Sequence, residues 1–298
     1  MTLHIVGNGF DLHHRIKSSY KDFKAYAWKH TKDAYHLGML EECYPMINPQ
    51  TGDLLLWSDL ERALGNLDFK AAFNISTEDI ELEENHELRY QAEMEDAPSF
   101  ALQLMYDNFH EIFNEWVNNI DINQYPDSTI NHFDNSGLFL QFNYTETLEL
   151  LYGVPQQNIC YIHGRRGTND TLIVGHHNNV DGDEQLSSDP MIYEYQAYDN
   201  IAQTVNNEQK QVSEIINKNQ SFFKSLANVD RIVVYGHSLS EVDLPYFKEV
   251  SKNVKDDAEW YFSLYFNNLQ EENEALGKVN KMIRYLNLNV IRCHTFPF

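Results

Sequence analysis

Residues 3–11, LHIVGNGFD, decide the reading of this chain. Leu3 to Val6 is a short apolar run, and it ends in Gly7-Asn8-Gly9 before Phe10 and Asp11. The polar residues that follow up to Tyr20 and Phe23 predict a helix. Strand, tight glycine turn, helix is the local order that offers backbone N–H groups and a helix N-terminus to the phosphates of a ligand. Two glycines could equally serve only the turn. The full dinucleotide fingerprint needs a third glycine where Leu12 stands, and no acidic residue closes a second strand about 20 positions on. A hydride-transferring dehydrogenase is therefore disfavoured.

Working outward, apolar runs alternate with helical patterns. Strands are expected over 2–6, 137–142, 158–162, 171–174, 231–235, 260–266 and 290–293. Helices are expected over 12–32, 53–65, 99–120, 145–151, 191–227 with a break near 206–209, 243–250 and 270–287. Phe100, Leu104, Phe109, Phe113 and Trp116 should share a face of the third of these. This order predicts an α/β fold with an open, mainly parallel sheet and a large helical insertion after the first strand. The chain reads as one domain, 1–298. Its insertion, 33–130, should cover the sheet or wall a cleft. Within it, 76–96 carries nine carboxylates and one arginine, which predicts a solvated segment.

Composition narrows the function classes. The 298 residues carry 45 acidic and 22 basic side chains, a formal net charge of −23. Such a chain repels polyphosphate backbones at long range, so nucleic acid is a disfavoured partner. Cys43, Cys160 and Cys293 are widely spaced, which argues against a disulfide framework or a thiolate zinc site. No apolar run is long enough to span a bilayer and no signal peptide is evident, so a cytoplasmic protein without a membrane partner is expected.

Three later segments accompany the opening one: FNYTETLE (142–149), YIHG (161–164) and VVYGHSLSEVD (233–243). Each closes an apolar run with polar residues. Asn143 is placed to bind a hydroxyl and position a water, with Tyr144 and Thr145 as further hydrogen-bonding groups. Thr145 could instead cap a helix. His163, followed by Gly164, is placed as a general base or hydroxyl binder, because imidazole titrates near neutrality. A core histidine bonded to a carbonyl is the alternative. Gly236-His237-Ser238 resembles the start of a nucleophile elbow but lacks its last glycine, and its partners would have to be Asp243 or a later acid, and His294. Ligand binding by Gly236, His237, Ser238 and Asp243 fits better. Asp11 could cap a helix, contact a ligand or act as an acid. His176, His177, Asp181 and Asp183 match no zinc spacing and read as a polar loop.

Taken together, IVGNGFDLHH, the 18–23 segment, WSDLE (57–61), FNYTETLE, YIHG and YGHSLSEVD resemble the bacterial abortive-infection family AbiH, an anti-phage group. That family is in turn remotely similar to sirtuin-like NAD-binding domains. The resemblance implies a Rossmann-like sheet and NAD or another nucleotide as ligand or substrate. It implies Gly7, Asn8, Gly9 and Phe10 at the phosphates, Asn143 at the nicotinamide ribose and His163 at a ribose hydroxyl. Gly236 and Ser238 would hold the adenosine side, supported by Asp243. The first loop, GNGFD, departs from the sirtuin version, and the paired zinc cysteines are missing, which disfavours deacylation. The expected activity is hydrolysis of the N-glycosidic bond of NAD, triggered by a phage-derived or host protein. A metal-dependent nuclease using Asp11, Glu61 or Asp243 and a nucleotide sensor without catalysis stay open.

Overall fold

The structure is a computed structural model that describes residues 1–122, 130, 133–266 and 268–298. The remaining part of the expected insertion, 123–129, lies outside the described residues. The chain divides into two compact units. One comprises Met1–Ser18, Val117–Ile173 and Gln211–Phe298, and the other Ser19–Trp116 and Val174–Lys210.

The first unit holds an open sheet of six strands, all parallel: β1 (Thr2–Val6), β2 (Leu138–Gln141), β3 (Ile159–Tyr161), β4 (Arg231–Tyr235), β5 (Glu259–Leu264) and β6 (Cys293–Pro297). Their spatial order is β3-β2-β1-β4-β5-β6. Parallel sheets covered on both faces need apolar residues at consecutive positions, which explains why β1 and β4 read as unbroken runs. Leu3 and Ile5 join Leu140, Ile232, Val234, Trp260 and Phe262 in the larger core, while Val6 joins Phe10, Phe139, Leu148 and Val154 on the other side. Register places Val6 opposite both Gln141 and Tyr235, and Gln141 opposite Tyr161. The residues just beyond these four therefore form one row at the C-terminal edge of the sheet.

Several boundaries differ from expectation. The helix expected over 12–32 is two: α1 (Asn8–His13) and α2 (Tyr20–His30). Arg15, at φ 59°, turns the chain between them, and Ser19 caps α2 in a reciprocal pair with Asp22. Short helices α3 (Ala34–Cys43), α4 (Leu60–Leu64) and α5 (Phe69–Thr77) follow; 55–57 is only a 3-10 turn. Helix α6 (Glu87–Asn119) starts well before Pro98 and runs through it. The missing N–H of Pro98 is offset by a continuous buried stripe, Leu102, Met105, Tyr106, Phe109, Ile112, Phe113 and Trp116. Phe100 and Leu104 lie outside this stripe and are exposed, contrary to the face expected for them. Phe23 inserts among Trp57, Phe113 and Trp116, with ring centroids 5.1–5.7 Å apart, to complete the core of the helical unit.

After β2 come α7 (Thr147–Tyr152) and β3; after that α8 (Ile192–Asn207), α9 (Val212–Lys218) and α10 (Gln220–Ser225) lead to β4. Helices α11 (Leu244–Asn253) and α12 (Leu269–Tyr285) precede β5 and β6 respectively except that α11 also closes the turn after β4. Residues 171–174 form no strand: Ile173 makes one ladder-like bond, N–H to His163 O at 2.8 Å. The last strand begins at Cys293 because 290–292 is a 3-10 turn capped by Asn289. Among the described residues no helix is long and apolar enough to cross a membrane.

Candidate functional site

The row beyond the strand ends starts at the glycines. Gly7 N–H donates to Tyr235 O at 2.9 Å and Gly9 N–H to Gly236 O at 2.7 Å. A Cβ on Gly7 would lie 2.6 Å from His237 Cα, and one on Gly9 2.7 Å from Gly236 Cα. Gly236 has φ +57°, and its Cβ would meet Phe10 N at 2.2 Å. The turns after β1 and β4 are thus laced backbone to backbone, a contact only residues without side chains allow. Asn8 is exposed and donates through Nδ2 to Ser18 O at 2.7 Å. Phe10 is fully buried among apolar and aromatic side chains, with its ring 5.6 Å from Tyr152 and 6.1 Å from Tyr235.

Asp11 is fully buried. Thr145 Oγ1–H donates to its Oδ2 at 2.5 Å, and Thr147 Oγ1 lies 3.1 Å from Thr145 Oγ1. Thr145 therefore serves Asp11 and does not cap α7. Burial raises the Asp11 pKa to about 6, against the opposing influence of Thr145, Thr147, Asn143 and the Arg166 charge. Asp11 Oδ1 has no hydrogen-bond partner among the described residues. The same is true of both Oδ1 and Nδ2 of Asn143, which is 5% exposed. Tyr144, next in sequence, turns its hydroxyl away to Ile173 O at 2.8 Å. Arg166 is committed to Glu146, with bonds of 2.6 and 3.0 Å from Nε and Nη2, so its charge reaches Asp11 only at a distance.

The ends of β3 and β4 supply a second polar group. Asp243 sits between two imidazoles, with His163 Nε2 3.8 Å from Oδ1 and His237 Nε2 3.6 Å from Oδ2. Ser240 Oγ–H donates to Oδ2 at 3.0 Å. His237 Nδ1 accepts from Leu239 N–H at 2.9 Å, so its ring proton resides on Nε2 and faces the carboxylate. Phe142 presents its ring edge-on to both histidines, at 5.2 and 4.5 Å. Gly164, at φ +87°, lies where a Cβ would be 2.5 Å from Thr171 O. Gly236 N–H donates to Ser263 Oγ at 2.8 Å, and Ser238 is exposed.

Of the predicted residues, the fold brings Gly7, Gly9, Asp11, Asn143, Thr145, His163, His237 and Asp243 to one edge of the sheet in one unit. Glu61 belongs to the helical unit, where it pairs with the buried Lys210. His176 is buried and bonded through Nε2 to Val205 O at 2.9 Å. Among the described residues no group of three or more His, Cys, Asp or Glu side chains could hold a metal. Sequence reading missed Thr147, which backs the Thr145–Asp11 pair. Its only signal was the T-x-T spacing after Asn143.

No curated protein and no solved structure matches the chain. One family model does, that of bacteriophage abortive infection AbiH, over residues 3–264. The matched span runs from the first strand to the end of the fifth and includes all four segments that meet at the sheet edge, so this chain belongs to the AbiH abortive-infection family.

Proposed function

We propose that this chain is an anti-phage effector whose substrate is NAD and whose reaction is hydrolysis of the N-glycosidic bond to nicotinamide. One observation supports the reading: Asn143 and His163 follow the ends of β2 and β3, on the same edge of the sheet as the turns after β1 and β4, between which the strand order reverses. The order 3-2-1-4-5-6 is that of Rossmann dinucleotide-binding sheets, whose ligands sit outside the C-terminal strand ends at that reversal. Sirtuin-like NAD chemistry is the version of this arrangement that needs an asparagine and a histidine there. Fold analogy alone assigns no reaction, so the proposal rests on the two side chains.

The buried Asn143 carboxamide has donor and acceptor capacity to hold a water against the ribose carbon. His163, steered by Asp243, accepts the proton as that water adds. One water is consumed, and nicotinamide, ADP-ribose and a proton are released. Glycine N–H groups of the first loop already bonded to the β4 turn leave the recognition of substrate to side chains. The trigger would be a phage-derived or host protein, acting in the cytoplasm where NAD is available.

The test is incubation of the pure protein with NAD, alone and with phage lysate fractions, followed by chromatography. Nicotinamide and ADP-ribose should appear in equal amounts, and Asn143→Ala and His163→Ala should each abolish them. Intact NAD under every condition, together with no NAD binding, overturns the reading. Degradation of plasmid or transfer RNA on adding Mg²⁺ would replace it with a nuclease.

A further inference from the structure

Charge is spread unevenly along this chain. Residues 15–32 hold six of the 22 lysines and arginines and a single carboxylate, Asp22. Residues 168–209 hold eight carboxylates and neither lysine nor arginine. Helix α2 gathers the basic excess on one side. Lys21, Ala25, Trp28 and Lys29 follow the i, i+4, i+7, i+8 spacing of a single helix face, and all four are exposed, as is Lys32 just past the helix end. Trp28 is 41% exposed, and its indole N–H already donates to Glu41 Oε1 at 3.2 Å, so it offers apolar ring outward. Among the described residues no ion pair engages Lys21, Lys29 or Lys32.

The acidic stretch carries a matching set. Asn178, Asn179, Asp181, Glu184 and Gln185 line a cavity of about 270 Å³. Gly182, whose Cβ would lie 2.6 Å from Tyr198 O, seats this loop against α8. At the start of α8, Met191, Ile192 and Tyr195 are 61%, 75% and 52% exposed, with the exposed Asp189 just before them. Exposed apolar side chains rimmed by polar groups mark an interaction surface. Both surfaces belong to the same folded unit and both stay exposed, so neither covers the other within one chain.

We propose that these two surfaces meet between copies of this chain. The basic face of α2 on one copy docks on the acidic surface of residues 178–195 on the next. Trp28 covers Met191, Ile192 and Tyr195, and a lysine ammonium, with three donors and no acceptor, enters the cavity of amides and carboxylates. The occupant is a second copy because one chain carries both halves, matched in charge and in apolar content. Since the two halves differ, the contact is head-to-tail and repeats into rings or filaments instead of closing as a two-fold dimer. The charge of −23 on each copy opposes approach only over short range at physiological salt, where screening acts beyond about 8 Å, so the groups that face each other decide the contact. The inference does not depend on which reaction the sheet edge performs.

Sedimentation velocity of the full chain at about 0.15 M ionic strength tests the proposal. The wild type should form species beyond the dimer as its concentration rises. Lys21→Glu/Lys29→Glu reverses the basic face, and Met191→Ser/Ile192→Ser strips the apolar cluster. Both variants change only exposed side chains and should stay folded by circular dichroism. Each alone should assemble about tenfold to a hundredfold more weakly than the wild type. Mixed in equal amounts, they should form a 1:1 dimer that grows no further, because each brings the one surface the other lacks. A wild type that stays monomeric at millimolar concentration overturns the proposal. So does undiminished assembly of either variant alone, or a mixture of the two that stays monomeric.

Discussion

Replacing Gly236 by alanine probes the lacing of the two turns directly. The residue has φ +57°, where an alanine costs about 1–2 kcal/mol. Its new Cβ would stand 2.2 Å from Phe10 N and 2.4 Å from Gly9 C, both backbone atoms that no rotamer change can move. Relief of such overpacking costs about 1–3 kcal/mol more, so the variant should lose roughly 2–5 kcal/mol. Gly153 provides the control. It also has positive φ, +64°, but its Cβ would have nothing within 4 Å. Gly153→Ala should therefore cost only the conformational part, about 1–2 kcal/mol. Urea unfolding followed by circular dichroism measures both, with equal slopes required for the comparison. Equal losses in the two variants would refute the close approach of the turns. A second readout is local: hydrogen exchange at Gly9 N–H, which donates to Gly236 O, should accelerate in Gly236→Ala and stay unchanged in Gly153→Ala.

Other consequences are testable together. His4 is buried in β1 against Phe139 at 4.7 Å, and desolvation lowers its pKa from 6.5 to about 4. Above pH 6.5 both folded and unfolded rings are neutral; below it the unfolded chain takes up a proton that the folded one refuses. Stability should fall by about 3 kcal/mol as pH drops from 6.5 to 4, and His4→Phe should flatten that part of the melting curve. Asp11 has the opposite sign, because burial raises its pKa from 3.8 to about 6. Its ionised form penalises the fold above pH 6, and the penalty fades as pH falls towards 3.8. Asp11→Asn should thus raise the melting point at pH 7.5 by the equivalent of about 1–3 kcal/mol and leave it unchanged near pH 4; a uniform loss at both pH values would contradict this. In the helical unit Lys210→Met removes the cation facing Glu61 and should cost about 3 kcal/mol, most of it regained in Lys210→Met/Glu61→Gln. Additive losses in the double variant would show that the pair is not coupled.

Much of the sheet was legible because parallel strands write themselves as apolar runs. Residues 2–6 and 231–235 match β1 and β4 residue for residue. Segments governed by one long-range contact were not legible. The 171–174 run has strand-like residues, yet Ile173 is held by single bonds to His163 O and from the Tyr144 hydroxyl and not by a ladder. Pro98 reads as a helix start by local rules, and the buried stripe of α6 overrides it. At the site, Asn143 and His163 could be found because each closes an apolar run, and Asp11 and Asp243 because they stand in the polar segments that follow β1 and β4. Their pairing could not. Thr145 and Asp11 are 134 positions apart, and no spacing announces that one hydroxyl serves the other. The glycines of the first loop show the same limit. Gly-Asn-Gly reads as a phosphate turn, and only the approach of the β4 turn reveals what Gly9 is needed for.

That approach has an effect on tolerance. Where the turns after β1 and β4 touch, the parts in contact are peptide units of fixed length and angle, with no rotatable side chain between them. Asp11 and His237, each one or two positions from this junction, inherit its stiffness as if the distant chain segments were fused there. Ser238, on the β4 turn, is exposed and takes no part in the joint, whereas the exposed Asn8 ties the β1 turn to Ser18 O through Nδ2. A substitution at Ser238 can alter what the site meets without loosening how it is held. The joint separates fit from recognition, so a chain with this architecture can change its target while keeping its frame.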